Sequence, residues 1–92
     1  MSKQPESLIL RQVGDYLRAR GWYVIRIVQG IGCHKGISDI IAVHRGRVLF
    51  VEVKTPTGRL SDWQQAFGQT ILNEGGEYIV ARGYEDLEKA GV

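Results

Sequence analysis

Apolar and polar positions in this chain switch between a helical and a strand period, and the switches divide it into seven elements. Leu10, Val13 and Leu17 make a stripe at helical spacing, widened by Ile9 and Tyr16, and predict a helix over 5–20. Pro5 suits its first turn and Gly21 its end. Residues 22–28 (WYVIRIV) are aromatic and β-branched and predict a strand. Residues 29–36 hold three glycines and read as a loop. Two apolar strands come next, at 37–44 and 47–54, folded about Arg45-Gly46. After a turn-rich stretch, Thr55 to Arg59, Ser61 and Gln64 have the spacing of a capping box. The helix they open runs to Glu74 and stops at Gly75-Gly76. Residues 77–82 (EYIVAR) predict a strand parallel to its neighbour, because a helix precedes it, and 84–90 a short last helix. The order αβββαβα is a mixed sheet flanked by helices, of α/β class.

Each strand of the hairpin carries one acid that a buried sheet should not tolerate. With Arg45-Gly46 as the two central turn residues, His44 faces Arg47 and Asp39 falls opposite Glu52. Directly opposed residues lie ~4.5–5.5 Å apart at Cβ, so two carboxylates there repel, and a divalent cation between them is the simplest remedy. Alternation along 47–54 puts Val48, Phe50, Glu52 and Lys54 on one face and Leu49, Val51 and Val53 on the other. A three-residue loop would turn Asp39 to the wrong face unless a bulge compensated.

The helices add two polar positions. Glu6 continues the line of Leu10, Val13 and Leu17, and Gln64 lines up with Leu60, Phe67 and Ile71. Both are expected to point inward at the same place. Oxygen-only ligands favour Mg²⁺ or Mn²⁺, and the Val53 carbonyl offers a further oxygen. Such a site suits metal-dependent hydrolysis of a phosphodiester, with Lys54 holding the attacking water or stabilising the charged transition state. Plain readings stand beside these. Asp39 and Glu52 also fit the wet side of a half-exposed sheet, and Lys54 a salt bridge to either. Glu6 fits the helix dipole and Gln64 the capping box alone. His34 and Lys35 suit either phosphate contact or a solvated loop. Trp22 and Trp63 suit a core or a dimer contact, and His44 an exposed place beside the turn.

Composition narrows the setting. Ninety-two residues are expected to make one domain with a modest core, spanning 1–92. No apolar run approaches a membrane span, and the start lacks a secretory leader's apolar stretch. A single cysteine, Cys33, fits a reducing cytoplasm. Net charge is +2, only slight support for a nucleic-acid partner.

Asp39 followed by Glu52-Val53-Lys54 resembles the D…(D/E)-x-K signature of the restriction-endonuclease-like nucleases. With Glu6, Gly36-Ile37-Ser38-Asp39, Glu52-Val53-Lys54-Thr55-Pro56, Gly58-Arg59-Leu60-Ser61 and Gln64, the chain resembles the VRR-NUC (virus-type replication-repair nuclease) family from Glu6 to about Leu87. Ser38 departs from the proline usual before the aspartate. The resemblance implies a restriction-endonuclease-like αβββαβ core and an Mg²⁺- or Mn²⁺-dependent DNA endonuclease. It implies that Asp39, Glu52 and the Val53 carbonyl bind metal, that Lys54 is catalytic, that Glu6 joins the metal site through water, and that Gln64 supports it. Stand-alone members of this size look phage-like or bacterial and resemble homodimers that resolve four-way (Holliday) junctions. The rivals are a nucleic-acid-binding module or a dimerisation domain that keeps the fold without catalysis.

Overall fold

A computed structural model describes residues 5–92. Its elements are α1 (Glu6–Ala19), β1 (Tyr23–Arg26), β2 (Ile40–His44), β3 (Arg47–Val53), α2 (Asp62–Asn73), β4 (Glu77–Ala81) and α3 (Glu85–Lys89). The four strands form one sheet in the order β1-β2-β3-β4. The first three are antiparallel, and β4 runs parallel to β3 after the crossover through α2. This is the αβββαβα order and the mixed sheet flanked by helices that the sequence pattern predicts.

Side-chain alternation sorts the sheet into two faces. Ile40, Ala42, Leu49, Val51, Val53 and Ala81 are fully buried and pack with Ile9, Val13 and Leu17 of α1 and Leu87 of α3. The tyrosine rings of residues 16 and 84 stack 5.5 Å apart and tie the two helices together. The other face carries Phe50, Glu52 and Tyr78. Phe67 of α2 packs edge-on against Phe50 at 5.7 Å and Tyr78 at 6.1 Å. Helix α2 covers only the β3–β4 half of that face. Over β1 and the start of β3, Tyr23 is 70% exposed and Val48 43%.

Several elements are shorter than the sequence pattern predicts. β2 starts at Ile40, not at residue 37, because the Ser38 hydroxyl bonds forward to the Ile40 carbonyl at 3.0 Å and the chain there leaves the ladder. β1 spans four residues and not 22–28, and Trp22 goes into the core, 6% exposed. Pro5 is the N-cap of α1, with extended backbone, and its carbonyl accepts from the N–H groups of Leu8 and Ile9. The buried stripe of α1 is Ile9-Val13-Leu17, with Leu10 at its margin. His44 is half-buried and not exposed, because its ring packs 5.4 Å from that of Trp22. Among the described residues no helix is long and apolar enough to cross a membrane.

Two glycines fix the parts that matter for the site. Gly46 has φ 82° and Arg45 φ 49°, the positive pair that marks a type I′ turn. Gly36 has φ 78°, and a Cβ there would lie 2.1 Å from the Trp63 carbonyl oxygen. The loop before Asp39 is thus seated backbone to backbone on the first turn of α2. Gly36→Ala is expected to destabilise the protein by roughly 2 kcal/mol or more, from strained φ plus this clash. Gly46→Ala, with open space around it, should cost only about 1 kcal/mol. Urea denaturation of the two variants checks the order, and equal losses would contradict this seating of the loop.

Candidate active site

The hairpin register places the two acids. Ile40 pairs with Val51, and the pairing runs without slip to His44 opposite Arg47. One further step puts Asp39 opposite Glu52. The closing pair of a two-residue turn exchanges both hydrogen bonds, and bonded and non-bonded pairs then alternate. Counting from His44–Arg47, Asp39 and Glu52 form a non-bonded pair, whose Cα atoms approach to about 4.5 Å. The main chain agrees: the Asp39 carbonyl accepts from the Ile27 N–H at 2.9 Å, turned away from β3. The Asp39 side chain turns toward β3, where Oδ2 accepts from the Val53 N–H at 2.8 Å.

Glu52 is 1% exposed. Its Oε2 accepts from Gln64 Nε2 at 3.1 Å and lies 3.7 Å from Lys54 Nζ. Its Oε1 is buried without a partner; among the described residues the only other such side-chain atom is the Tyr78 hydroxyl. Burial, followed by the charge of Asp39 and the hydrogen bond a protonated Glu52 can give it, pushes the Glu52 carboxyl up to about 8. Lys54 opposes that shift, and Glu6 adds to it slightly. Tyr78 is pushed up to about 12 by burial and then by the charges of Glu52 and Asp39.

Gln64 performs two tasks at once. Its Oε1 accepts from the Ser61 N–H at 2.9 Å while the Ser61 hydroxyl accepts from the Gln64 N–H at 3.1 Å, a complete capping box. Its amide nitrogen is left for Glu52. Lys54 is held by the turn beyond it. Arg82 Nη1 donates to the carbonyls of Thr55 and Gly58, both at 2.6 Å, and closes that turn. The Lys54 side chain is 14% exposed, so its ammonium is confined close to Glu52.

The structure therefore brings Asp39, Glu52, Lys54 and Gln64 together. Val53 joins through its main chain: its N–H faces Asp39, and in a strand the N–H and C=O of one residue point to the same side. Glu6 is exposed in the first turn of α1, and its influence here is the small electrostatic one on Glu52. Tyr78 is the residue sequence reasoning missed. Its signal was parity: it pairs with Phe50, so it shares a face with Glu52.

Among the described residues no cluster of three or more His, Cys, Asp or Glu could hold a metal ion. The acids present are a pair. That pair still fits a hard cation: a buried carboxylate oxygen is orphaned, a second carboxylate opposes it, and all donors are oxygen. The remaining positions would be filled by the Val53 carbonyl, water and a phosphate oxygen.

The model of the VRR-NUC domain family matches residues 18–85. A solved structure described as a VRR-NUC domain superposes with a TM-score of 0.78 at 21% identity, covering 91% of this chain and 90% of the other. No curated protein matches in sequence.

The raised Glu52 carboxyl sets a pH signature for metal-free protein. A folded pKa of about 8 against an ordinary 4.5 gives stability that is whole below about pH 4.5 and is lost as pH rises toward 8. In EDTA, Glu52→Gln should remove this slope and gain on the order of 1–3 kcal/mol at pH 8. Thermal denaturation across pH 5–9 checks it; parallel profiles for both proteins would refute the buried-carboxylate account.

Proposed function

This chain belongs to the VRR-NUC domain family, a family of nuclease domains, and from that premise we propose that it is a metal-dependent endonuclease hydrolysing DNA phosphodiesters. The observation that carries the reading is the unpartnered oxygen of buried Glu52, set opposite Asp39 with Lys54 beside it. A fold kept only for binding or dimerisation has no use for an orphaned buried carboxylate, which costs stability.

Asp39, Glu52 and the Val53 carbonyl would hold Mg²⁺ or Mn²⁺, with Glu6 reaching the site through water. When bound, such an ion supplies Lewis-acid polarisation of the phosphate and a lowered pKa for water. The chain's own groups do the rest. Asp39 is oriented by the Val53 N–H, and Glu52 by Gln64 and Lys54, so neither carboxylate must reorganise when substrate arrives. The Lys54 ammonium orients the attacking water and offsets charge that grows on the phosphate oxygens. Water attacks phosphorus in line and releases a proton to solvent, the bond to the leaving sugar oxygen breaks, and that oxygen takes up a proton from solvent.

The finer reading is a homodimer acting on branched or four-way-junction DNA, in a phage or bacterial cytoplasm. The apolar half of the sheet beyond α2, with Tyr23, Ile25 and Val48 exposed, supports pairing with a second copy. Two copies related by a two-fold axis would match the two cuts a four-way junction requires.

Purified protein is expected to nick or cut labelled branched DNA with Mg²⁺ or Mn²⁺, and not with EDTA. Asp39→Ala and Lys54→Ala should each lose about 100-fold or more in rate, while both remain folded by circular dichroism. Gln64→Ala should lose both rate and about 1 kcal/mol of stability through its cap. Wild type and the two site variants behaving alike would reject the catalytic reading. Sedimentation and a comparison of linear, flap and junction substrates test the finer one.

A further inference from the structure

The surface of α2 next to the carboxylates holds a cleft that the hydrolytic groups do not use. It encloses about 630 Å³ between the loop at His34-Lys35, Phe50 of β3, and Trp63, Phe67 and Ile71 of α2. Its walls are aromatic. His34 packs edge-on to Phe67 at 5.7 Å. Trp63 is 59% exposed, and the Lys35 ammonium lies over its ring, 4.6 Å from the centroid. A large exposed indole on the first turn of a helix gives nothing to the core, and the lysine beside it is a cation at the mouth of an apolar slot.

The cleft lies beside the site. Trp63 immediately precedes Gln64, which bonds Glu52. Phe50 shares a face with Glu52 two residues along the strand, about 7 Å away. Lys35 stands next to Gly36, the residue seated on the Trp63 backbone. Without DNA the Lys35 ammonium covers that π-face; a nucleobase can take its place on the ring while the ammonium moves off to meet the neighbouring phosphate.

Resting on the nuclease reading above, we propose that this cleft holds one unpaired nucleobase of the DNA substrate, stacked on Trp63 and Phe67, with Lys35 at the neighbouring phosphate. The scissile phosphate then lies next to a single-stranded nucleotide, and substrates with an unpaired or splayed strand are preferred over continuous duplex. A base that stays paired cannot enter, because its far edge is occupied by its partner.

Binding in EDTA tests this without cleavage. A short single-stranded oligothymidylate should quench Trp63 fluorescence saturably, and an oligonucleotide of abasic residues of equal length should not. The Trp63→Phe variant, with buried Trp22 as its one remaining tryptophan, should lose the quenching. Trp63→Ala should weaken single-strand binding about 5- to 100-fold and Trp63→Tyr should restore most of it, while duplex binding moves less than about 2-fold on the same scale. Lys35→Ala should reduce the slope of log affinity against log salt by about 0.7. Absent quenching, equal quenching by the abasic strand, or equal loss on duplex would overturn the base pocket. So would a Trp63→Ala variant that shifts oligomeric state instead of DNA binding, which would make the cleft an interface between copies. Protein that binds through Trp63 but cuts nothing with Mg²⁺ or Mn²⁺ would reject the nuclease reading and leave the pocket standing. Protein that cuts, with Trp63→Ala binding single strands like wild type, would reject the pocket alone.

Discussion

The opposition of Asp39 and Glu52 across the β2–β3 ladder is the constraint on which the rest of the site depends. It is fixed by the turn, not by the acids. Positive φ at Arg45 and Gly46 gives the two-residue connection, and that connection sets the parity of every pair behind it. A slip of one residue would carry the Asp39 side chain to the face of Leu49, Val51 and Val53, against α1. The same parity makes the acids a non-bonded pair, the kind in which side chains come closest. Repulsion between the two charged acids is thus built into the backbone, and the metal-free protein relieves it by holding the proton on Glu52, which is pushed up to about 8.

Much of this was legible in the chain. Alternation along 47–54 assigned Glu52 and Lys54 to one face. The Arg45-Gly46 dipeptide supplied the register, and Ser61 with Gln64 located the start of α2 to the residue. These features are local: strand period, turn chemistry and capping act over two to four residues, so sequence spacing carries them directly. The boundary of β2 moved where a single side chain competes with the ladder. The Ser38 hydroxyl reaching the Ile40 carbonyl is such a competitor, and the apolar period gives no sign of it.

Spacing could not carry direction across the fold. Glu6 sits on the helical line of Leu10, Val13 and Leu17, yet the stripe that faces the sheet is Ile9-Val13-Leu17, a rotation that leaves Glu6 exposed. Which neighbouring stripe wins is decided by the surface it meets, here Leu49, Val51 and Val53, and that surface is assembled from distant segments. Tyr78 was hidden for a related reason. Its place beside the acids comes from the β3–β4 pairing, and its ring is admitted because Gly68 of α2 leaves room, a Cβ there falling 2.5 Å from the tyrosine ring. Neither fact exists until the crossover is closed.

Gln64 shows how the fold and the site share one group. A primary amide has one oxygen and one nitrogen to commit. The cap takes the oxygen at Ser61, so the nitrogen is obliged to face Glu52. The orientation of the carboxylate is therefore inherited from the way α2 begins. The same turn of α2 is pressed on Gly36 through the Trp63 carbonyl, and Gly36 lies three residues before Asp39. Asp39, Glu52 and the start of α2 are thus locked to one another by a hairpin, a cap and a backbone contact. With Gln64 and Lys54 both on Oε2, the other oxygen of Glu52 is the one left for a ligand. Lys54, 3.7 Å from Oε2, is the group that limits the cost of the charge when Glu52 ionises.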